Sequence, residues 1–359
     1  MTNPYDSALT VNPGVEQPPV VDHVSLRRFL NQKRKTLNAG EYVEGIQHGN
    51  RTVLSQAITM VESALPEHAQ LAQDIVEGCL PHSGKSIRIG ITGVPGAGKS
   101  TFIEAMGIDL ISRGHRLAVL AIDPSSERSG GSILGDKTRM EELSAHPSAF
   151  IRPSPASGSL GGVARKTRET VFLCEAAGFD VVFIETVGVG QSETAVHSMT
   201  DFFLLLQIAG AGDELQGIKR GVMEMADLIA VNKADGSNLE KAQLAKAQYQ
   251  NALHLFPKTL SGWEPKATIC SAITRFGIND IWDAVLQYER LTKDNGYFRQ
   301  RRQQQAKYWM NETIRNSLIR RFFNDPEIEA LIPRYEQKIS EGKMSSFVAA
   351  QALLNQYFQ

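Results

Sequence analysis

Apolar residues recur along this chain with two different periods, and the change of period divides it. From Val24 to Leu80 they fall at helical spacing in VSLRRFLNQ, RTVLSQAITMVESAL and HAQLAQDIVEGCL, which predicts a helical lead-in over 24–85. From Ser86 the pattern becomes short apolar runs, IRIGIT, LAVLAID, DVVFIET, DFFLLLQIA, DLIAVNK and ATICSA, separated by amphipathic stretches. Runs of this kind, alternating with helices, predict buried parallel strands in an α/β domain with flanking helices, here 86–291. Ligands of such sheets sit at the carboxyl ends of the strands, which says where to look for chemistry. After Leu291 the strands cease. FRQRRQQQAKYWMNETIRNSLIRRFF, PEIEALIPRYEQKI and SSFVAAQALLNQYF predict a C-terminal helical arm over 292–359, packed on the core or on a second subunit; a solvated surface bundle is the other reading. Residues 1–23 hold turn formers without a sustained period and read as a mobile tail.

Composition narrows the class. A chain of 359 residues with 42% hydrophobic content is long enough for one large α/β domain with helical additions. Lys+Arg 38 against Asp+Glu 39 leaves a net charge of -1, so the basic excess that drives polynucleotide binding is missing and no nucleic-acid partner is expected. Cys79, Cys174 and Cys270 lie far apart, which fits neither a disulfide framework nor a zinc knuckle. The opening MTNPYDSALTVNPGVEQPPV lacks the basic start and apolar core of a secretory signal, and no run reaches about 18 apolar residues. The expected setting is the cytoplasm, without a membrane span.

The string GVPGAGKS, placed directly after IRIGIT and directly before the helical TFIEAMGIDLISRG, is a P-loop in its required strand-loop-helix context. Gly93, Val94, Pro95, Gly96, Ala97 and Gly98 would turn backbone N–H groups around a β-phosphate, and Lys99, Ser100 and Thr101 open the helix. Lys99 would reach the β and γ oxygens, and the Ser100 hydroxyl would ligate Mg2+. The predicted fold is therefore a P-loop NTPase.

The base is named by VNKAD, which ends the run DLIAV and supplies Asn232, Lys233, Ala234 and Asp235 at the spacing used by GTPases. Asp235 would accept both N1–H and N2–H of guanine, donors that adenine does not offer, so a buried carboxylate there rejects adenine. The Lys233 stem would lie over the ring. In CSAIT, Ser271, Ala272 and Ile273 fit a backbone contact to guanine O6. GTP, and GDP after hydrolysis, is the expected nucleotide.

Metal ligands should come from strand ends. Asp123 closes LAVLAID and Glu185 closes DVVFIE, which places both carboxylates at strand tips facing Mg2+ and the γ-phosphate. Asp123, standing before Pro124, has a second reading as a turn cap. Glu185 occupies a position that is aspartate in many nucleotide hydrolases, and its longer side chain suits a strand set further back. The segment DPSSERSGGSILGDKTRM between them reads as a loop that a γ-phosphate orders. Asp136 and Arg139 share a helical face there, as one ligand for Mg2+ and one for phosphate, or as an ordinary surface ion pair. Val189 follows Gly188 where small GTPases carry a water-orienting glutamine, so unassisted hydrolysis should be slow; Gln191 is the nearest local candidate for that task. QIAGAGDELQGIKRG adds a further Gly-rich loop, read either as nucleotide-sensitive or as a plain connection.

Taken in order, GVPGAGKST, DPSSERSGGSILGDKTRM, ETVGVGQSE, AGDELQGIKRG and NKAD resemble the MeaB type of P-loop G protein, associated with methylmalonyl-CoA mutase and formerly labelled as ArgK-like transport kinases. The resemblance runs from about Arg27 to the C-terminus. It implies glutamate as the normal residue at 185, Mg2+ contacts from Ser100, Asp123, Asp136 and Glu185, a phosphate contact near Arg139, and a partner-responsive loop holding Lys219. It further implies a homodimer through the C-terminal arm, and a chaperone that uses GTP to gate cobalamin loading and to protect or rescue a B12-dependent acyl-CoA mutase. No DxHxxG motif of a cobalamin site occurs, so the B12 would belong to the partner. Two other readings compete: a kinase or ATPase serving an arginine/ornithine-type transport system, and a module that holds nucleotide without turning it over. Lys99, Ser100 and the acidic strand ends speak against the last.

Overall fold

Seven parallel strands form one sheet in the computed structural model, which describes residues 37–122, 140–153, 160–186, 192–210 and 220–358. In chain order they are β1 (Ile87–Gly93), β2 (Leu117–Ile122), β3 (Ala149–Arg152), β4 (Val181–Thr186), β5 (Phe202–Ile208), β6 (Leu228–Asn232) and β7 (Lys266–Ile269). Across the sheet the order is β3-β2-β4-β1-β5-β6-β7. The six apolar runs of the sequence are all strands. The seventh, β3, is not among them. It has four residues at the sheet edge, too few to establish a period, and it ends in Arg152.

The central strands β1, β2, β4 and β5 read as unbroken apolar runs because both faces are covered. On one face Ile89, Ile91, Phe183, Phe202 and Leu204 pack with Phe102, Ile103 and Met106 of α4 (Lys99–Ser112) and with Trp282, Val285 and Tyr288 of α10 (Ile278–Asp294). On the other, Leu205, Ile229 and Val231 pack with Met223 of α8 (Arg220–Met225) and Ala242, Tyr249 and Leu253 of α9 (Leu239–Leu253). The chain passes from β1 to β2 on one side of β1, and from β4 to β5 on the other. Connections that diverge in this way open a crevice at the strand tips, where such sheets bind ligands.

The lead-in contains α1 (Ala39–Gln47), α2 (Arg51–Glu62) and α3 (Pro66–Cys79). Asn50 sets the start of α2, its Oδ1 accepting from the N–H groups of Thr52 and Val53. These helices pack on α6 (Leu160–Ala176), one of the sheet's covering helices, and residues 39–359 form one compact unit. Two short helices, α5 (Glu141–Ala145) and α7 (Ser192–His197), complete the sheet region. The three predicted C-terminal helices are present as α11 (Tyr297–Phe323), α12 (Pro326–Ser340) and α13 (Ser346–Tyr357). Asp325 caps α12 with Pro326 following, and Ser345 caps α13, which is why their starts are sharp in the sequence. Among the described residues, no helix is long and apolar enough to cross a membrane.

Candidate functional site

The loop from Gly93 to Gly98 leaves β1 and delivers Lys99, Ser100 and Thr101 into the first turn of α4. Glycine is required at both ends. A Cβ on Gly93 would stand 2.2 Å from the carbonyl oxygen of Leu206 on β5, and Gly98 has φ 83, a left-handed conformation that starts the helix. Ala97 is fully buried and its N–H donates to the carbonyl of Val94, while Pro95 and Gly96 face outward.

Lys99 folds back to donate its Nζ to the carbonyl of Gly93, 3.0 Å away. Burial pulls its pKa below the usual lysine range, and the carboxylates of Glu185 and Glu193 oppose that shift. Both acids thus act on the charge at the mouth of the P-loop. Glu185 is the next-to-last residue of β4, the direct neighbour of β1, and is 5% exposed. Its Cα lies level with Ile91, two residues short of Gly93. Its neighbour Thr186 meets Thr92 through their hydroxyls at 2.9 Å, tying the two strand tips together. Glu193, in the first turn of α7, is a further acid whose charge acts on Lys99, and its place in the same string as Glu185, ETVGVGQSE, is the signal that could have found it.

The guanine-type loops meet the P-loop directly. Asn232, at the end of β6, donates Nδ2 to the carbonyl of Ala97 at 2.8 Å, and its Oδ1 accepts from the N–H of Ala272 at 3.2 Å. The N–H of Ala234 donates to the carbonyl of Cys270 at 2.9 Å, joining the two loops at their base. The Ser271 hydroxyl donates to Asp235 Oδ2 and so orients that carboxylate. Lys233 is exposed and adopts φ 60, and its Cε lies 3.9 Å from where a Gly98 Cβ would stand. Its stem therefore crosses the floor between the loops. Ile273 is exposed at 79%. Cys270 is buried and its thiol is pushed up to about 12 by desolvation, so it is a packed, unreactive group.

The structure thus brings Gly93 through Thr101, Glu185, Asn232 through Asp235 and Ser271 through Ile273 to neighbouring strand tips. Asp123, Asp136, Arg139 and Gln191 lie outside the described residues, as does Lys219. β2, which leads to Asp123, is the neighbour of β4, with Ile122 level with Thr186. Among the described residues no three acidic, His or Cys side chains cluster closely enough to hold a metal ion.

Comparison with known proteins agrees with this geometry. The family described as methylmalonyl-CoA mutase-associated GTPase MeaB matches residues 54–327. The chain is similar to the GTPase ArgK of Escherichia coli, 47% identical over 289 residues that cover 80% of this chain and 87% of that protein. It is also similar to the mitochondrial methylmalonic aciduria type A homolog of Mus musculus, 46% identical over 323 residues, covering 87% of this chain and 78% of that protein. Among solved structures, a LAO/AO transport system kinase superposes with a TM-score of 0.73 at 36% identity, covering 90% of this chain and 100% of that one. With a family match across most of its length and a P-loop joined to a guanine-type loop, this chain belongs to the MeaB family of P-loop GTPases and is a GTP hydrolase.

Proposed function

We propose that this GTPase is a chaperone for a B12-dependent acyl-CoA mutase of the methylmalonyl-CoA mutase type, gating cobalamin loading and protecting or reactivating that enzyme. The observation that carries this reading is the family match over residues 54–327, whose description names association with that mutase. Residue roles follow from the geometry. Asp235, oriented by Ser271, accepts the guanine donors; Asn232 fastens the base-reading loop to the phosphate loop; the N–H groups of Ser271 and Ala272 are committed to Phe276 and Asn232, so of the three residues Ile273 supplies the backbone contact to O6. Lys99 exchanges the Gly93 carbonyl for β and γ oxygens when nucleotide enters.

A Mg2+ ion fits the donor set, because the Ser100 hydroxyl and the Glu185 carboxylate are hard oxygen ligands, with Asp123 and Asp136 as the remaining acids. Such an ion supplies charge neutralisation to the β and γ oxygens. Glu185 starts two residues below the P-loop mouth, and its extra methylene restores the reach that an aspartate there would lack. The family resemblance supports a phosphate contact near Arg139. Val189 leaves water positioning to Gln191 or to the partner, so the mutase accelerates a slow intrinsic reaction.

The protein works as a homodimer in the cytoplasm. Support for the dimer comes from an apolar groove of about 380 Å³ in the C-terminal arm, lined by Leu318, Ile319, Phe322, Leu353, Tyr357 and neighbours, among them Phe323 and Phe358 at 56% and 75% exposure. Sedimentation of the full chain at micromolar concentration tests it. A second reading, γ-phosphate transfer to a transport protein, is favoured by the structural likeness to a LAO/AO transport system kinase. Labelled GTP turnover with and without the purified mutase decides between them: free phosphate, released faster with the mutase, supports the chaperone; phosphorylated acceptor supports the kinase.

A further inference from the structure

The backbone ladder between β1 and β4 stops short of the strand ends. Its last pair is Ile91 with Glu185, while β1 runs on to Gly93 and β4 to Thr186. Beyond that pair each strand is held by its outer neighbour, β1 by β5 as far as Gly93 with Leu206, and β4 by β2 as far as Thr186 with Ile122. Among the described residues, the link that still crosses from β1 to β4 is the hydroxyl pair Thr92–Thr186 at 2.9 Å. It joins the residue before Gly93 to the residue after Glu185.

Both threonines are enclosed, at 2% and 0% exposure, and towards the foot of the strands the face they share continues as Gly90 and Ile184 under Val196 and Phe203. In such a layer a valine pair of the same shape is neutral or stabilising, because one hydrogen bond only replaces the water that two buried hydroxyls give up. Folding stability therefore does not account for the pair. Its hydrogen bonding is also incomplete, since two hydroxyls that share one bond spend one proton and leave the other. A third hydroxyl stands nearby. Ser192 Oγ is buried and has no partner among the described residues. Its level follows from the course of α7, which descends from the strand tips: Val196 lies 2.8 Å from where a Gly90 Cβ would stand, and Asp201 accepts from the N–H of Arg88. Ser192, one turn before Val196, is thus on the side of Thr92. Polar groups left short of partners in an interior call for a reason other than folding stability.

We infer that Thr92 and Thr186 are positioning residues for GTP hydrolysis: their hydroxyl bond fixes the tip of β4 against the P-loop strand and so sets where Glu185 presents its carboxylate. This rests on the reading of Glu185 as a Mg2+ ligand given above. Without the hydroxyls, β2 alone guides the end of β4, and the carboxylate is free to shift relative to Gly93 and Ser100. A misplacement of about 1 Å costs on the order of 100-fold in rate, so a small loss of alignment is enough.

The test compares the full chain with a double variant, Thr92→Val and Thr186→Val, using a fluorescent non-hydrolysable GTP analogue. Its affinity in Mg2+ divided by its affinity in EDTA should fall by about tenfold, as when a group that orients a metal ligand is lost. In turnover, kcat should fall by about tenfold with KM within about twofold, while the urea midpoint stays at or above that of the wild type. Thr186→Ser keeps the hydroxyl and should restore both the Mg2+ ratio and kcat. Thr186→Val alone breaks the same bond and serves if the double variant does not fold. A double variant that keeps the wild-type Mg2+ ratio overturns the positioning role, as does one whose urea midpoint falls while kcat is unchanged, which marks a purely structural pair. Glu185→Ala separates this inference from the reading beneath it. If Glu185→Ala lowers the Mg2+ ratio and the double variant does not, the pair alone is overturned; if Glu185→Ala leaves the ratio unchanged, Glu185 is no ligand and both readings fall.

Discussion

Asn232 Nδ2 lies 2.8 Å from the carbonyl oxygen of Ala97, so the end of β6 and the loop that follows β1 are fastened by one side chain. The other end of the same amide accepts from Ala272. Removing it at a 1% exposed position leaves a carbonyl and an N–H unpaired in the interior. Asn232→Ala should therefore weaken GTP and GDP alike, by roughly 10- to 100-fold each. Titration calorimetry with both nucleotides checks this; a loss confined to GTP would show that Asn232 acts on the γ-phosphate instead.

The Ser271–Asp235 contact leads to a different kind of change. In the proposed base contact Asp235→Asn sets N–H donors against those of guanine, so GTP affinity should fall by about 100-fold or more while xanthosine triphosphate, which offers an acceptor, gains. Competition between the two nucleotides against a fluorescent analogue measures the switch. Unchanged base preference would remove Asp235 from the base contact.

Much of this site was legible because it is built from contiguous strings. GVPGAGKS and NKAD each carry their own strand end and turn, and the glycines at 93 and 98 are fixed by local requirements, close approach and positive φ, that a short motif encodes. The cap residues Asn50, Asp325 and Ser345 likewise announce helix starts within a few positions. What escaped was pairwise. β3 contributes four edge residues whose pairing with β2 depends on a partner remote in sequence. Glu193 gains its influence on Lys99 only because α7 returns across β1. The fastening of Arg302, Gln305 and Trp309 to the turn at 198–201 spans about a hundred residues, and amphipathic periodicity shows only that α11 needs something to pack against.

Glu185 gives a test of reach. Its Cα is level with Ile91, two residues below Gly93, in a parallel register with no slack. Glu185→Asp withdraws the carboxylate by one methylene and should raise the Mg2+ concentration for half-maximal GTP turnover by about tenfold, a loss near 1.4 kcal/mol, with nucleotide affinity in the absence of Mg2+ little changed. A Mg2+ titration of turnover at saturating GTP is the measurement. An unaltered midpoint would place the ion out of reach of residue 185 and return the metal to the remaining acids.

His197 closes α7 and packs edge-on against Phe203 at 5.5 Å between ring centroids. Burial, and then the guanidinium of Arg301 on α11, pulls its pKa down to about 3 from an ordinary 6.5. The native fold therefore holds neutral imidazole. A depressed pKa on a base means that the stability is fully present above pH 6.5 and is lost as pH falls from there towards 3, because the unfolded chain takes up the proton first. At pH 5 the loss amounts to about 2 kcal/mol, which is large against an ordinary folding free energy. His197→Gln keeps a polar side chain that does not titrate, so urea unfolding followed by tryptophan fluorescence should show the wild type losing about 2 kcal/mol more than the variant between pH 7.5 and pH 5. Parallel profiles for the two proteins would mean that His197 accepts its proton while folded, and that α7 opens to water beside Arg301.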